Sequence, residues 1–273
     1  MSEQPIEAYD QQYNESIPAN WWETSWRPTK FAYGSGDQGS GYMIGGANST
    51  NAQANNAYCI AVYLMHEGWC LEAICGMLGN IQSEGMMQPG WWQNNIVGAI
   101  TSGFGLVQWT PATKYINWAD LTWGALDPWY PFYYSGWYEC YRIAMECVNN
   151  LSGQWIPTVD YNYSFKNFAR GINFVGNDKW DRVEDAASAF LYNYERPASY
   201  GTEDQRRARA HAWLQRLDDI WPDYAITTAA INDDPLMPGP YFGLKDILGF
   251  PSWIYKVYYM ASRRGSAYER YSR

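Results

Sequence analysis

The chain has 273 residues, enough for one large or two modest domains, and 47% of them are hydrophobic, so a sizeable core can form. Aromatic residues reach 18%, with 16 Trp and 24 Tyr, more than a core needs, and rings with a polar tip suit contact surfaces and sugar faces as well. A net charge of −9 repels phosphate backbones, which argues against nucleic acid as a partner of the body of the chain, and two histidines, His66 and His211, give poor support to a zinc hydrolase.

Residues 1–51 read as an extended arm with Trp21, Trp22 and Trp26, ending in a linker rich in Gly, Ser and Asn from Gly34 to Asn51. The first thirty residues carry charged and polar groups where an export signal needs an apolar stretch, so no signal peptide is expected, and no run reaches transmembrane length. From Asn56 the pattern turns helical, with Tyr58, Ala61, Val62 and Met65 on one face and Gly68 as a stop. A second helix is predicted over about 71–84, with Ile74, Met77, Leu78 and Ile81 as its inner stripe, before Pro89 and Gly90 break the chain.

Glycines are frequent between Gly98 and Trp109, and the alternation from Phe104 to Trp109 predicts a small β-hairpin or loop-strand element with Phe104, Leu106 and Gln108 on one face. Thr110 and Pro111 read as the N-cap and first residue of another helix. After an aromatic loop over 121–136, Trp137, Tyr141, Ala144, Val148 and Leu151 mark a further amphipathic helix. Cys140 and Cys147 lie seven apart on it, too far for a disulfide, and all five cysteines are expected to be reduced, buried thiols. Helices are predicted again at about 182–193 and, behind a capping box at Thr202-Glu203-Asp204-Gln205, at 203–220.

A Pro-rich linker over 222–240 closes this part, which makes 52–221 a central, mainly α-helical domain with a small β-hairpin. The remaining segment, 241–273, changes sign: six basic residues against Asp246 and Glu269 give it a net +4. Its crowd of Tyr, Trp, Phe and Ile suits docking onto a partner protein, with an anionic membrane surface as the alternative.

Projected at 100° per residue, Glu84 falls on the face of Met77 and Ile81, at the end of the apolar stripe. Partial burial and the negative helix C-terminus both favour the protonated carboxyl, the state a glycosidase acid must hold until the leaving oxygen takes the proton.

The string Gly79-Asn80-Ile81-Gln82-Ser83-Glu84, continuing through Gln88-Pro89-Gly90-Trp91-Trp92-Gln93, resembles the catalytic segment of the phage tail lysozyme family. Gly103-Phe104-Gly105-Leu106-Val107-Gln108-Trp109-Thr110 is similar to the family's second motif, and Tyr194-Glu195-Arg196-Pro197 to its third, in the family's order. The resemblance implies a mainly α-helical, α+β lysozyme-like fold with the small β-hairpin at its cleft, and a muramidase site with Glu84 as the acid. Phe104, Gly105, Gln108, Trp109, Tyr194 and Glu195 then stand as substrate-binding positions, peptidoglycan strands and other tail proteins as partners, the virion tail as the location, and no cofactor. Gly85 departs from the Ser that commonly follows the acid in related enzymes.

A second carboxylate is harder to place, because no Asp or Glu lies between Gly85 and Ala119. Asp120 and Asp127 are nearest in sequence and Glu195 is a candidate by motif, but each reads as structural before catalytic: Asp120 ends a helix, Asp127 precedes Pro128 in a turn, and Glu195 can pair with Arg196 or Arg206. The same residues also resemble lytic transglycosylases, which use a single acid and release an anhydro sugar. A Cys70/His211 endopeptidase and a non-enzymatic tail plug are the readings from other classes.

Overall fold

The computed structural model describes residues 31, 50–84, 87–96, 98–123, 136–150, 153–197 and 199–221. Apart from Phe31, the terminal arm and linker up to residue 49 lie outside these, as do the Pro-rich linker, the basic C-terminal segment and positions 124–135 of the expected aromatic loop, whose residues 121–123 and 136 are helical instead.

Seven α-helices are found among the described residues: α1 Thr50–His66, α2 Leu71–Glu84, α3 Thr113–Trp123, α4 Gly136–Asn149, α5 Phe165–Ala169, α6 Lys179–Phe190 and α7 Glu203–Ile220. Helix α1 begins at Thr50, so the last two residues of the expected linker belong to it. Helix α2 has the predicted bounds, and its stripe of Ile74, Met77, Leu78 and Ile81 is wholly buried.

Helix α2 is the centre of the molecule and packs most extensively on α7 and α6, which also pack on each other. Two glycines allow this. A Cβ at Gly76 would lie 2.7 Å from the carbonyl carbon of Ala186 in α6, and one at Gly79 would lie 2.4 Å from the carbonyl oxygen of Arg206 in α7. The three backbones therefore meet where a side chain would hold them apart. Between α2 and α6, buried Asn80 donates to the carbonyls of Gly76 and Ala187, both at 2.9 Å.

The fold is mainly helical, and the expected hairpin is replaced by a tight turn. Phe104 and Trp109 exchange one pair of backbone hydrogen bonds, at 3.3 and 2.9 Å, and Phe104 also bridges Trp92, but no ladder extends from either contact. The alternation fails because Gly105 (φ +79°) and Gln108 (φ +49°) are left-handed, which reverses the chain within four residues. Leu106 and Phe104 are buried while Gln108 is half-exposed, so the three do not share a face.

Thr110 and Pro111 do not open α3, which starts at Thr113; the Thr110 hydroxyl donates instead to the carbonyl of Gln108 at 2.9 Å. The capping box at Thr202 does not form either. Its hydroxyl accepts from Nε of Arg206 at 3.1 Å and caps no backbone N–H of the helix. Helix α6 ends at Phe190 and passes into a wider π-helical turn over Leu191–Glu195, closed by the amide of Arg196 on the carbonyl of Leu191 at 2.9 Å. All five cysteines are free and buried.

Candidate active site

Glu84 is the last residue of α2, beyond the stripe that fixes the helix in the core, and its side chain keeps 27% of its surface exposed. A buried cation meets it there. Arg206, one turn into α7, donates Nη2 to Glu84 Oε1, Nη1 to Asn80 Oδ1 at 3.0 Å and Nε to the Thr202 hydroxyl. The sequence reading offered Arg206 as a partner for Glu195; the structure gives its hydrogen bond to Glu84. Asn80 occupies the position one turn before Glu84, so the guanidinium reads two successive turns of α2.

Glu195 ends the π-helical turn. Its Oε1 is buried and has no hydrogen-bond partner among the described residues. Burial first, and then the neighbouring negative charge of Glu84, push this carboxyl well above the usual carboxylate range, with Arg206 and Arg196 pulling the other way. The turn is held firmly on both sides. Asn193 accepts from the amide and hydroxyl of Thr158, both at 2.9 Å, while the next-but-two residue, Arg196, is left-handed (φ +46°) and donates to the carbonyls of Gln154 and Asn193. A single wide turn of this kind re-aims the residues that end it.

The other motif residues gather in a second cluster. Gln108 donates Nε2 to the carbonyls of Gly105 at 2.8 Å and Trp91 at 3.2 Å, which leaves its Oε1 as an acceptor at a half-exposed position. Trp91 is half-exposed, whereas its neighbour Trp92 is buried edge-on against Phe104. Phe104, Trp109 and Tyr194 are buried too. Trp109 stacks on Tyr115 at 4.4 Å, and Trp109 Nε1 and the Tyr194 hydroxyl both donate to Glu146. These three positions therefore build the wall of the site and offer a sugar no ring face; Gly105 supplies the turn that φ +79° demands.

Two acids that sequence reasoning missed hold this wall. Glu139, fully buried in α4, accepts from the amides of Gly90 and Leu106, both at 2.7 Å, and so ties the loop after Glu84 to the Gly105–Gln108 turn. Glu146, about two turns further along α4, joins the second motif to the third through Trp109 and Tyr194 and is balanced by Arg142 at 2.9 Å. Burial raises both carboxyls, most strongly Glu139. The one signal in the sequence is the spacing of Glu139, Arg142 and Glu146 on a helix that is otherwise apolar on nearly every face.

Asp120 and Asp127 do not enter this picture: the side chain of Asp120 and all of Asp127 lie outside the described residues. Cys70 is buried, and burial with Glu72 pushes its thiol far above its ordinary range, while the ring of His211 stacks on Trp180 at 4.6 Å. A thiolate–imidazole pair has no support in that arrangement.

A mainly helical domain that presents a half-exposed glutamate at the end of its central helix, backed by a tight aromatic turn, is the frame of a lysozyme-like protein. The phage tail lysozyme family matches residues 55–217, and the chain belongs to that family. Among its relatives is morphogenesis protein 1 of Bacillus phage B103, 40% identical over 165 residues, which are 59% of this chain and 39% of that one. The chain thus spans about two fifths of the length of this relative.

Proposed function

We propose that the chain is a peptidoglycan hydrolase of a phage tail, an N-acetylmuramidase that cuts the MurNAc–GlcNAc strand to open the host wall for genome delivery. The observation that carries this reading is Glu84 itself. It sits in the first family motif, anchored by a buried stripe yet reachable from solvent, which is where a proton donor to a glycosidic oxygen has to be. Glu84 delivers the proton to the leaving oxygen, the sugar passes through a cationic state, and water completes the cut. Gln108 Oε1 is suited to accept from a sugar N-acetyl amide, and half-exposed Trp91, tied to Gln108 through its carbonyl, is suited to stack on a pyranose face.

Digestion of purified sacculi with the full chain, followed by mass spectrometry of the products, tests this. Reducing muramic ends are expected; anhydro ends would replace the hydrolase with a lytic transglycosylase. Glu84→Gln keeps the size of the side chain and removes the proton, so cleavage should fall by at least roughly 100-fold with the fold intact. A variant that keeps a tenth of the wild-type rate overturns the assignment and leaves a non-enzymatic tail component in its place. The basic aromatic segment 241–273 is the part proposed to dock onto another tail protein. A chain ending at Asp234 should then cleave sacculi but fail to enter particles, and unfolding of that shortened chain would refute the docking role.

A further inference from the structure

Glycan hydrolysis needs two carboxyl groups in opposite protonation states, one to give a proton and one to carry negative charge beside the sugar cation. The stretch after Glu84 contains no such partner in sequence, and the two aspartates nearest in sequence lie outside the described structure. Among the described residues, Glu195 is the acid that the negative charge of Glu84 acts on across the site. Its carboxyl is out of solvent on the Oε1 side and makes no hydrogen bond to any described residue. An acid that served only the fold would be expected to hold a partner, as Glu139 and Glu146 do in the same domain, since an unbonded buried polar oxygen costs stability.

We propose that Glu195 is the second carboxyl of the glycan-cleaving site and works with Glu84 across the guanidinium of Arg206. The inference rests on the hydrolase reading above. Arg206 is a permanent cation bonded to Glu84 rather than to Glu195, so in the free site the Glu84 side of the pair carries the matched negative charge, while burial and that charge favour the protonated form of Glu195. Entry of the glycan displaces solvent from Glu84. The proton then passes from Glu195 to Glu84, which becomes the neutral acid, while Glu195 becomes the anion. Glu84 next gives that proton to the leaving oxygen, the glycosidic bond breaks, and Glu195 faces the sugar cation and takes the proton of the attacking water. One proton enters the leaving group and one is recovered from water, so the pair ends with the charge it began with. The charged groups that act on Glu195 are Glu84 from α2, Arg206 from α7 and Arg196 at the end of its own turn.

The test uses the full-length chain with sacculi as substrate and compares wild type, Glu84→Gln, Glu195→Gln and Glu195→Asp across pH. Glu195→Gln should lower kcat by roughly 100-fold with sacculus binding retained. The alkaline limb of its residual activity should move to lower pH, because the proton then has no store other than Glu84 beside Arg206. Glu195→Asp keeps the acid at a shorter reach and should recover part of the rate and return the limb toward wild type. A purely structural Glu195 would lower the rate of both variants without moving the limb, and that result, or a Glu195→Gln rate within about threefold of wild type, overturns the proposal. If Glu195→Gln does not fold, Glu195→Asp decides alone, since an unshifted profile at wild-type rate rejects the role. Loss of cleavage in Glu84→Gln with full activity in Glu195→Gln rejects this inference and leaves the hydrolase reading standing; an inactive wild type rejects both.

Discussion

The guanidinium of Arg206 is hydrogen-bonded to the carboxylate of Glu84, 122 residues earlier in the chain. Arg206 is 5% exposed and Glu84 27%, so the contact lies at the inner edge of the site. Arg206→Lys keeps the charge but loses the planar fork that reaches Asn80, Glu84 and Thr202 together. With one partner half in water the cost is below that of a fully buried pair, about 1–3 kcal/mol, read from urea unfolding. A loss under about 0.5 kcal/mol would show that the fork is not needed for stability.

Gly79→Ala tests the close crossing of α2 and α7. The added methyl meets backbone of Arg206 and Ala210, which cannot rotate away. A destabilisation of at least about 2 kcal/mol is expected, together with slower cleavage as the end of α2 shifts against Arg206. Unchanged unfolding would mean that the helices separate freely at this point.

Glu139→Ala leaves the amides of Gly90 and Leu106 buried without an acceptor, a loss of about 2–5 kcal/mol by denaturant titration. Glu139→Gln is a poor rescue because its NH2 would face one of those N–H groups. The buried acids also fix a pH dependence. Glu139, Glu146 and Glu195 are all raised above the ordinary carboxylate range, burial being the first cause in each case, so the folded chain binds more protons than the unfolded one. Their contribution is fully present below the ordinary range and is lost as pH rises through the raised values. The melting temperature should be higher at about pH 5 than at about pH 7.5, and a flat or opposite profile would contradict this assignment.

Gln108→Ala removes two donors to backbone carbonyls in the tight turn, so it should cost about 1–2 kcal/mol as well as raise KM on sacculi. Because φ is +49° there, Gln108→Gly should be the more stable of the two replacements. A change in KM with no change in stability would make the amide a pure substrate contact.

Local signals carried the helices and failed at the turns. The bounds of α2 and α7 follow from an apolar stripe and from flanking Gly68 and Thr202, and both were legible. The hairpin was misread because an alternating six-residue string says nothing about left-handed backbone at Gly105 and Gln108. The capping box failed for a different reason: the Thr202 hydroxyl found a stronger local partner in Arg206. In the site, Glu84 was visible from its place on a helix face, whereas Arg206, Glu139 and Glu146 owe their roles to contacts across 122, 49 and 37 residues, which no local pattern encodes.

The buried thiols bear on how the folded chain meets an oxidising medium. Cys59, Cys70, Cys75, Cys140 and Cys147 are all out of solvent, and burial holds those at 70, 75, 140 and 147 in the protonated form. Thiol oxidation and exchange proceed through exposed thiolate. The folded chain can therefore enter an aerobic medium with its thiols unchanged, neither cross-linking to its neighbours nor depending on an oxidant to finish its folding. Oxidation of these thiols by air would first require unfolding.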